Sequence, residues 1–130
     1  MNYKKSIWAI CILASTSPIT HLQAADNIDQ LREQGVVLIR SGQVEQGLEQ
    51  LRTLLNQQPQ NQKLIADYIV STQAHQKLTL ADLGYLQNIQ VQDFPNYAWL
   101  SVVKGQRDLK QFQSAAKWAE TFYQQSQQQE

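Results

Sequence analysis

The chain has 130 residues, 11 basic and 11 acidic, and only 17% of it is charged. A balanced charge without a Lys/Arg block argues against a dedicated nucleic-acid binder. One Cys rules out a disulfide framework, and one Cys with two His leaves too few ligands for a zinc cluster.

At this length one domain is the limit, and glutamine, with 23 residues, outnumbers acids and bases together. Residues 1–24 differ from the rest. Lys4 and Lys5 are their only charges, the apolar run Ile7 to Ala14 follows, and Pro18 breaks it. A basic start, a short apolar centre and the small pair Ala24 and Ala25 describe a secretory signal peptide. Cleavage is expected after Ala24, although Leu22 is bulky for the minus-three position. Eight consecutive apolar residues fall far short of the roughly 20 that an uncleaved spanning anchor needs. A lipoprotein reading of Cys11 is opposed by Ile10, which stands where a small residue is required. Without this segment the chain has nine basic and eleven acidic residues, no Cys and one His. A Cys-free chain suits an oxidising exported compartment, and catalysis by Cys is excluded.

After residue 24, apolar residues recur at helical spacing, as in Val44, Leu48, Leu51, Leu54 and Leu55. No segment alternates strictly enough to predict a strand. Breaks at Ser41–Gly42, Pro59–Asn61, Gln76–Thr79, Asp93–Asn96 and Asp108–Lys110 predict six helices in antiparallel pairs. Capping-box spacing of Asn27 with Gln30 and of Thr79 with Asp82 predicts two helix starts. The fold class is therefore all-α, with the helical domain over 25–125 and a Gln-rich tail over 124–130 that can extend the last helix.

The windows 28–61, 62–95 and 96–129 superpose with a period of 34. Gly35 stands at position 8, Gly42 at 15, Val44 at 17, Gly47 at 20, Leu51 at 24 and Pro59 at 32. Leu78, Ala81 and Tyr85 stand at 17, 20 and 24 of the second window. Trp99 stands at 4 of the third, with Phe112, Ala115, Ala119 and Phe122 at 17, 20, 24 and 27. This pattern resembles the tetratricopeptide repeat, and so implies a short α-solenoid of about three repeats. Small residues at 8 and 20 let paired helices approach, and Gly42 can end a helix in a left-handed conformation. The second and third windows carry Ile69 and Val103 at position 8, and Pro95 comes two places late; a non-repetitive helical bundle is the plainer alternative.

A closer resemblance rests on the run Gly35 to Leu51 (GVVLIRSGQVEQGLEQL), on Asp67-Tyr68, on Phe94-Pro95-Asn96-Tyr97, and on Arg107 to Phe112 (RDLKQF). Over about residues 28–125 the chain looks like the periplasmic repeat region of the outer-membrane export porin for the biofilm polysaccharide poly-N-acetylglucosamine. The resemblance implies a non-catalytic docking role toward the polymer or its periplasmic deacetylase. The β-barrel of that family has no counterpart in these 130 residues, so the chain reads as a partial or truncated porin, or a stand-alone relative.

In stacked repeats the first helix of each pair lines the concave face through positions 2, 5, 9, 12 and 13. Those positions hold Asp29, Arg32, Val36, Ile39 and Arg40; Lys63, Ala66, Val70, Gln73 and Ala74; Tyr97, Leu100, Lys104, Arg107 and Asp108. Five are basic and two acidic, which predicts a groove for carboxylates such as an acidic peptide. An unrelated exported adaptor binding such a peptide is the alternative function. The candidate groove residues are Arg32, Arg40, Lys63, Tyr97, Lys104 and Arg107; Tyr97 could stack on a sugar ring. Arg32, Lys63 and Lys104 have a plainer role as a solvated helix face, and Arg107 and Arg40 could pair with Asp108 and Glu45.

No enzyme signature emerges: His75 has no second ligand or nucleophile nearby, and Asp67, Asp82 and Asp93 have no convergent partner in the sequence. No cofactor or metal is implied. The last helix carries Ala115, Trp118, Ala119 and Phe122 on one face, with only Gln124 to Glu130 after it. The prediction is an exposed stripe of those four residues, open to a partner or to self-association.

Overall fold

The computed structural model describes residues 19–128. The expected signal peptide lies outside the described residues except for its last six positions, whose backbone belongs to the first helix. Five α-helices follow in order: α1 (Ile19–Arg40), α2 (Val44–Gln57), α3 (Gln62–Ala74), α4 (Trp99–Asp108) and α5 (Phe112–Gln127). No strand occurs among the described residues. No described helix is long and apolar enough to cross a membrane.

The 34-residue period is written into the backbone. The first helices end at Arg40, Ala74 and Asp108, and each is followed by one residue with positive φ: Gly42 (93°), Gln76 (55°) and Lys110 (61°). At each of the three, two hydrogen bonds close the same helix stop. Gln43 N–H reaches Leu38 O and Gly42 N–H reaches Ile39 O; the equivalents are Lys77 to Thr72 with Gln76 to Gln73, and Gln111 to Gln106 with Lys110 to Arg107. This is the Schellman arrangement, which satisfies carbonyls that the helix end leaves free. The all-α, solenoid-like stack of hairpins expected from the sequence is what the chain forms.

Hairpin α1–α2 closes over two glycines. A Cβ on Gly47 would lie 2.5 Å from Gly35 O and 2.5 Å from Ile39 Cγ1, so the helices are in backbone contact there. Leu48, Leu51, Leu54 and Leu55 put the apolar face of α2 against α1 on one side and α3 on the other, and all four are buried. Full burial of one such side chain stabilises by about 1.5–3 kcal/mol. Asn61 caps α3 by accepting from Leu64 N–H at 3.2 Å, just beyond the Pro59 break.

The middle pair departs from expectation. Where a second helix was due, residues 82–98 form three short three-ten turns, Asp82–Leu86, Val91–Asp93 and Asn96–Ala98. The Thr79–Asp82 capping box does form: Thr79 N–H donates to Asp82 Oδ2 at 2.8 Å and Asp82 N–H to Thr79 Oγ1 at 3.3 Å. It starts a three-ten turn and no longer helix. Gly84, Asn88, Ile89 and Val91 all have weak helix propensity. Position 8 of this repeat is the buried Ile69 and not a small residue. The Asn27–Gln30 box, by contrast, marks no start, because α1 runs through it from Ile19.

The turn segment changes what α5 buries. Phe94 packs edge-on to Trp118 at 5.3 Å between ring centroids, and Trp118 to Trp99 at 5.1 Å. Trp99, fully buried, donates its indole N–H to Phe94 O at 3.1 Å. Ala115 and Trp118 are each only 7% exposed, so they are core and do not belong to an open stripe. The open face of α5 is rotated by one residue. It carries Phe112, Ala116, Ala119 and Tyr123, with the half-exposed Phe122 at its edge.

Candidate functional site

The first helices α1, α3 and α4 lie side by side, α3 touching both neighbours. Helical spacing places Asp29 and Arg32 on α1 one turn apart, and Arg32 Nε donates to Asp29 Oδ1 at 3.0 Å. Arg32 also reaches across to α3, where its Nη1 forms an ion pair with Asp67 Oδ2. From the third repeat, Tyr97 donates its hydroxyl to the other oxygen, Asp67 Oδ1, at 2.6 Å. One carboxylate thus joins all three repeats.

The electrostatics follow from that geometry. The Arg32 and Asp67 side chains are 14% and 12% exposed, largely out of water. Burial works against the charge of Arg32, but hydrogen bonds and the field of Asp67 and Asp29 outweigh it and raise its pKa above the ordinary value. Burial, then the hydrogen bond to Asp67, raises the pKa of the Tyr97 phenol well above a normal tyrosine. Tyr97 nevertheless keeps a 59% exposed surface, so its ring remains presented.

The remaining groove candidates separate from this cluster. Arg40, Lys63 and Lys104 are exposed and make no ion pair among the described residues. Arg107 pairs with its neighbour Asp108 at 2.9 Å, the plainer of its two roles. Arg40 does not pair with Glu45, because Lys77 takes that carboxylate and its hydrogen bond lowers the Glu45 pKa. Two expected groove positions, Ile39 and Ala66, are buried in the core. With Asp67 added to the face, five bases meet three acids, a smaller excess than the sequence suggested.

The carboxylate partners are not legible in the sequence. Asp67, which has no convergent partner along the chain, is the hub of the cluster. Asp82, beyond its capping contact with Thr79, accepts from the buried Tyr68 hydroxyl at 3.1 Å, while Arg52 Nη2 donates to the same hydroxyl at 3.2 Å. Asp93 is exposed, and His75 is the exposed C-cap of α3. Among the described residues, no three His, Cys, Asp or Glu side chains converge on a metal-sized site. The elements Asp67-Tyr68 and Phe94-Pro95-Asn96-Tyr97 meet through the Tyr97–Asp67 hydrogen bond, which ties the second repeat to the third.

Searches against family models, curated proteins and solved structures return no match to this chain.

Proposed function

We propose that this protein is a non-catalytic tetratricopeptide docking module of poly-N-acetylglucosamine export, acting on the periplasmic side of the outer membrane. Its first-helix face would hold an acidic segment of a protein partner, in the first place the periplasmic polysaccharide deacetylase. The observation that carries the reading is the three exposed cations Arg40, Lys63 and Lys104, one on each of α1, α3 and α4, together with the Arg32–Asp67–Tyr97 cluster that ties the three repeats. Fixed neighbours and free cations are what a carboxylate-binding surface requires. The sequence resemblance over 28–125 supplies the polysaccharide context.

The second reading is an unrelated exported adaptor for acidic peptides. It is favoured by the same cations and by the small aromatic contribution to the face, where Tyr97 is the single candidate sugar platform. Biolayer interferometry with immobilised deacetylase and with an Asp/Glu-rich peptide separates the two. Docking in polysaccharide export requires saturable binding to the deacetylase that Lys63→Glu with Lys104→Glu weakens about tenfold or more. Binding of the peptide alone would favour the adaptor, and no binding to either would overturn both.

A further inference from the structure

The helix that the middle repeat lacks leaves space behind it. A cavity of about 420 Å³ lies between the turn segment and hairpin α4–α5. That volume falls within the range of small-molecule sites. Its residues are not those of the first-helix face. One wall is aliphatic, formed by Leu83, Leu86, Ile89 and Val91.

The lining from α4 and α5 is polar apart from Trp118. Ser114, Lys117 and Thr121 recur at helical spacing along one face of α5, and Gln106 joins them from α4. No acidic residue lines the cavity, and Lys117 makes no ion pair among the described residues. Gln106 is only 4% exposed, and its Oε1 has no hydrogen-bond partner. A buried amide oxygen without a donor is costly, and Gln106 is one of the residues that line the cavity.

We propose that this cavity binds a small amphiphilic carboxylate carrying a hydrogen-bond donor beside its head group. The aliphatic part would lie on the leucine-rich wall. The carboxylate would meet the Lys117 ammonium and the Ser114 hydroxyl, and the donor would satisfy Gln106; the Thr121 hydroxyl already donates to Lys117 O at 2.9 Å and only lines the site. A cationic amphiphile is disfavoured by Lys117, and a sugar by the four aliphatic side chains.

The test is an amide-resolved NMR titration of the full chain with 3-hydroxyoctanoate, octanoate and octylammonium. Saturable shifts of Gln106, Ser114, Lys117 and Thr121 are expected with 3-hydroxyoctanoate, weaker ones with octanoate and none with octylammonium. Lys117→Gln, at an exposed position that leaves folding intact, should cut affinity about tenfold. Gln106→Leu should erase the preference for the hydroxylated acid; Ser114→Ala, a milder change, provides a second reduction in affinity if that variant does not fold. Absence of saturable shifts up to the solubility limit, equal binding of octylammonium, or full affinity in Lys117→Gln would overturn the proposal.

Discussion

Three helix stops share one backbone geometry, but only Gly42 is a glycine. Gln76 and Lys110 hold φ at 55° and 61° with a Cβ in place. A left-handed L-residue costs roughly 1–2 kcal/mol. Replacing it with glycine removes that cost but loosens the unfolded chain by about 0.4–1 kcal/mol. The net gain for Gln76→Gly or Lys110→Gly is therefore on the order of 0.5–1 kcal/mol each. The two sites lie in different repeats and should add. Gly42→Ala gives the converse, a loss of about 1 kcal/mol. A Cβ there meets nothing within 4 Å, so its effect is conformational alone. Urea unfolding followed by helical circular dichroism measures this, with an unchanged slope and a shifted midpoint. The double glycine variant should also melt higher by about 4–8 °C per kcal/mol. If both glycine substitutions lower the midpoint, the repeated left-handed stop is not the geometry in solution.

The Arg32–Asp67 pair predicts a loss of about 2–3 kcal/mol for Arg32→Leu, because a mostly buried carboxylate loses its cation; denaturant midpoints check this, and a neutral result would place the pair in bulk water. Gly47→Ala should cost about 1–3 kcal/mol by forcing α1 and α2 apart, more than Gly42→Ala, measured by the same unfolding curves. Burial raises the phenol pKa of both Tyr68 and Tyr97. Their neutral forms therefore contribute stability that is fully present below the ordinary tyrosine value near ~10 and is lost as pH rises through the raised values. Phenolate absorbance should show two of the five tyrosines ionising late, and Tyr97→Phe should make the alkaline loss of stability less steep.

Much of the fold is legible because it is local. The period predicts where first helices end, and the stops at 42, 76 and 110 fall at its fifteenth position. Gly35 and Gly47 signal close approach, and the structure puts them in contact. Residues 80–95 mislead because Leu80, Leu83 and Leu86 recur at intervals compatible with a helix. Tertiary packing settles that stretch otherwise, as Leu86, Ile89, Val91 and Phe94 join the core beside α5. That outcome also buries Trp118, which no local pattern foretells. The Asp67 cluster joins residues 35 and 30 positions apart, so side-chain reach across helices decides it. Repeat register marks Arg32 and Tyr97 as neighbours on one face, but Asp67 stands one position outside the expected lining set.

The proposed docking surface is the first-helix face. Its most direct measurement is an NMR footprint of the periplasmic deacetylase on the isotope-labelled chain, read at Arg40, Lys63, Tyr97 and Lys104 and at Phe112 and Tyr123 on α5. Docking there should broaden or shift amides along α1, α3 and α4, an effect reduced by added salt as exposed charges are screened. A footprint confined to α5, or none at all, would contradict it.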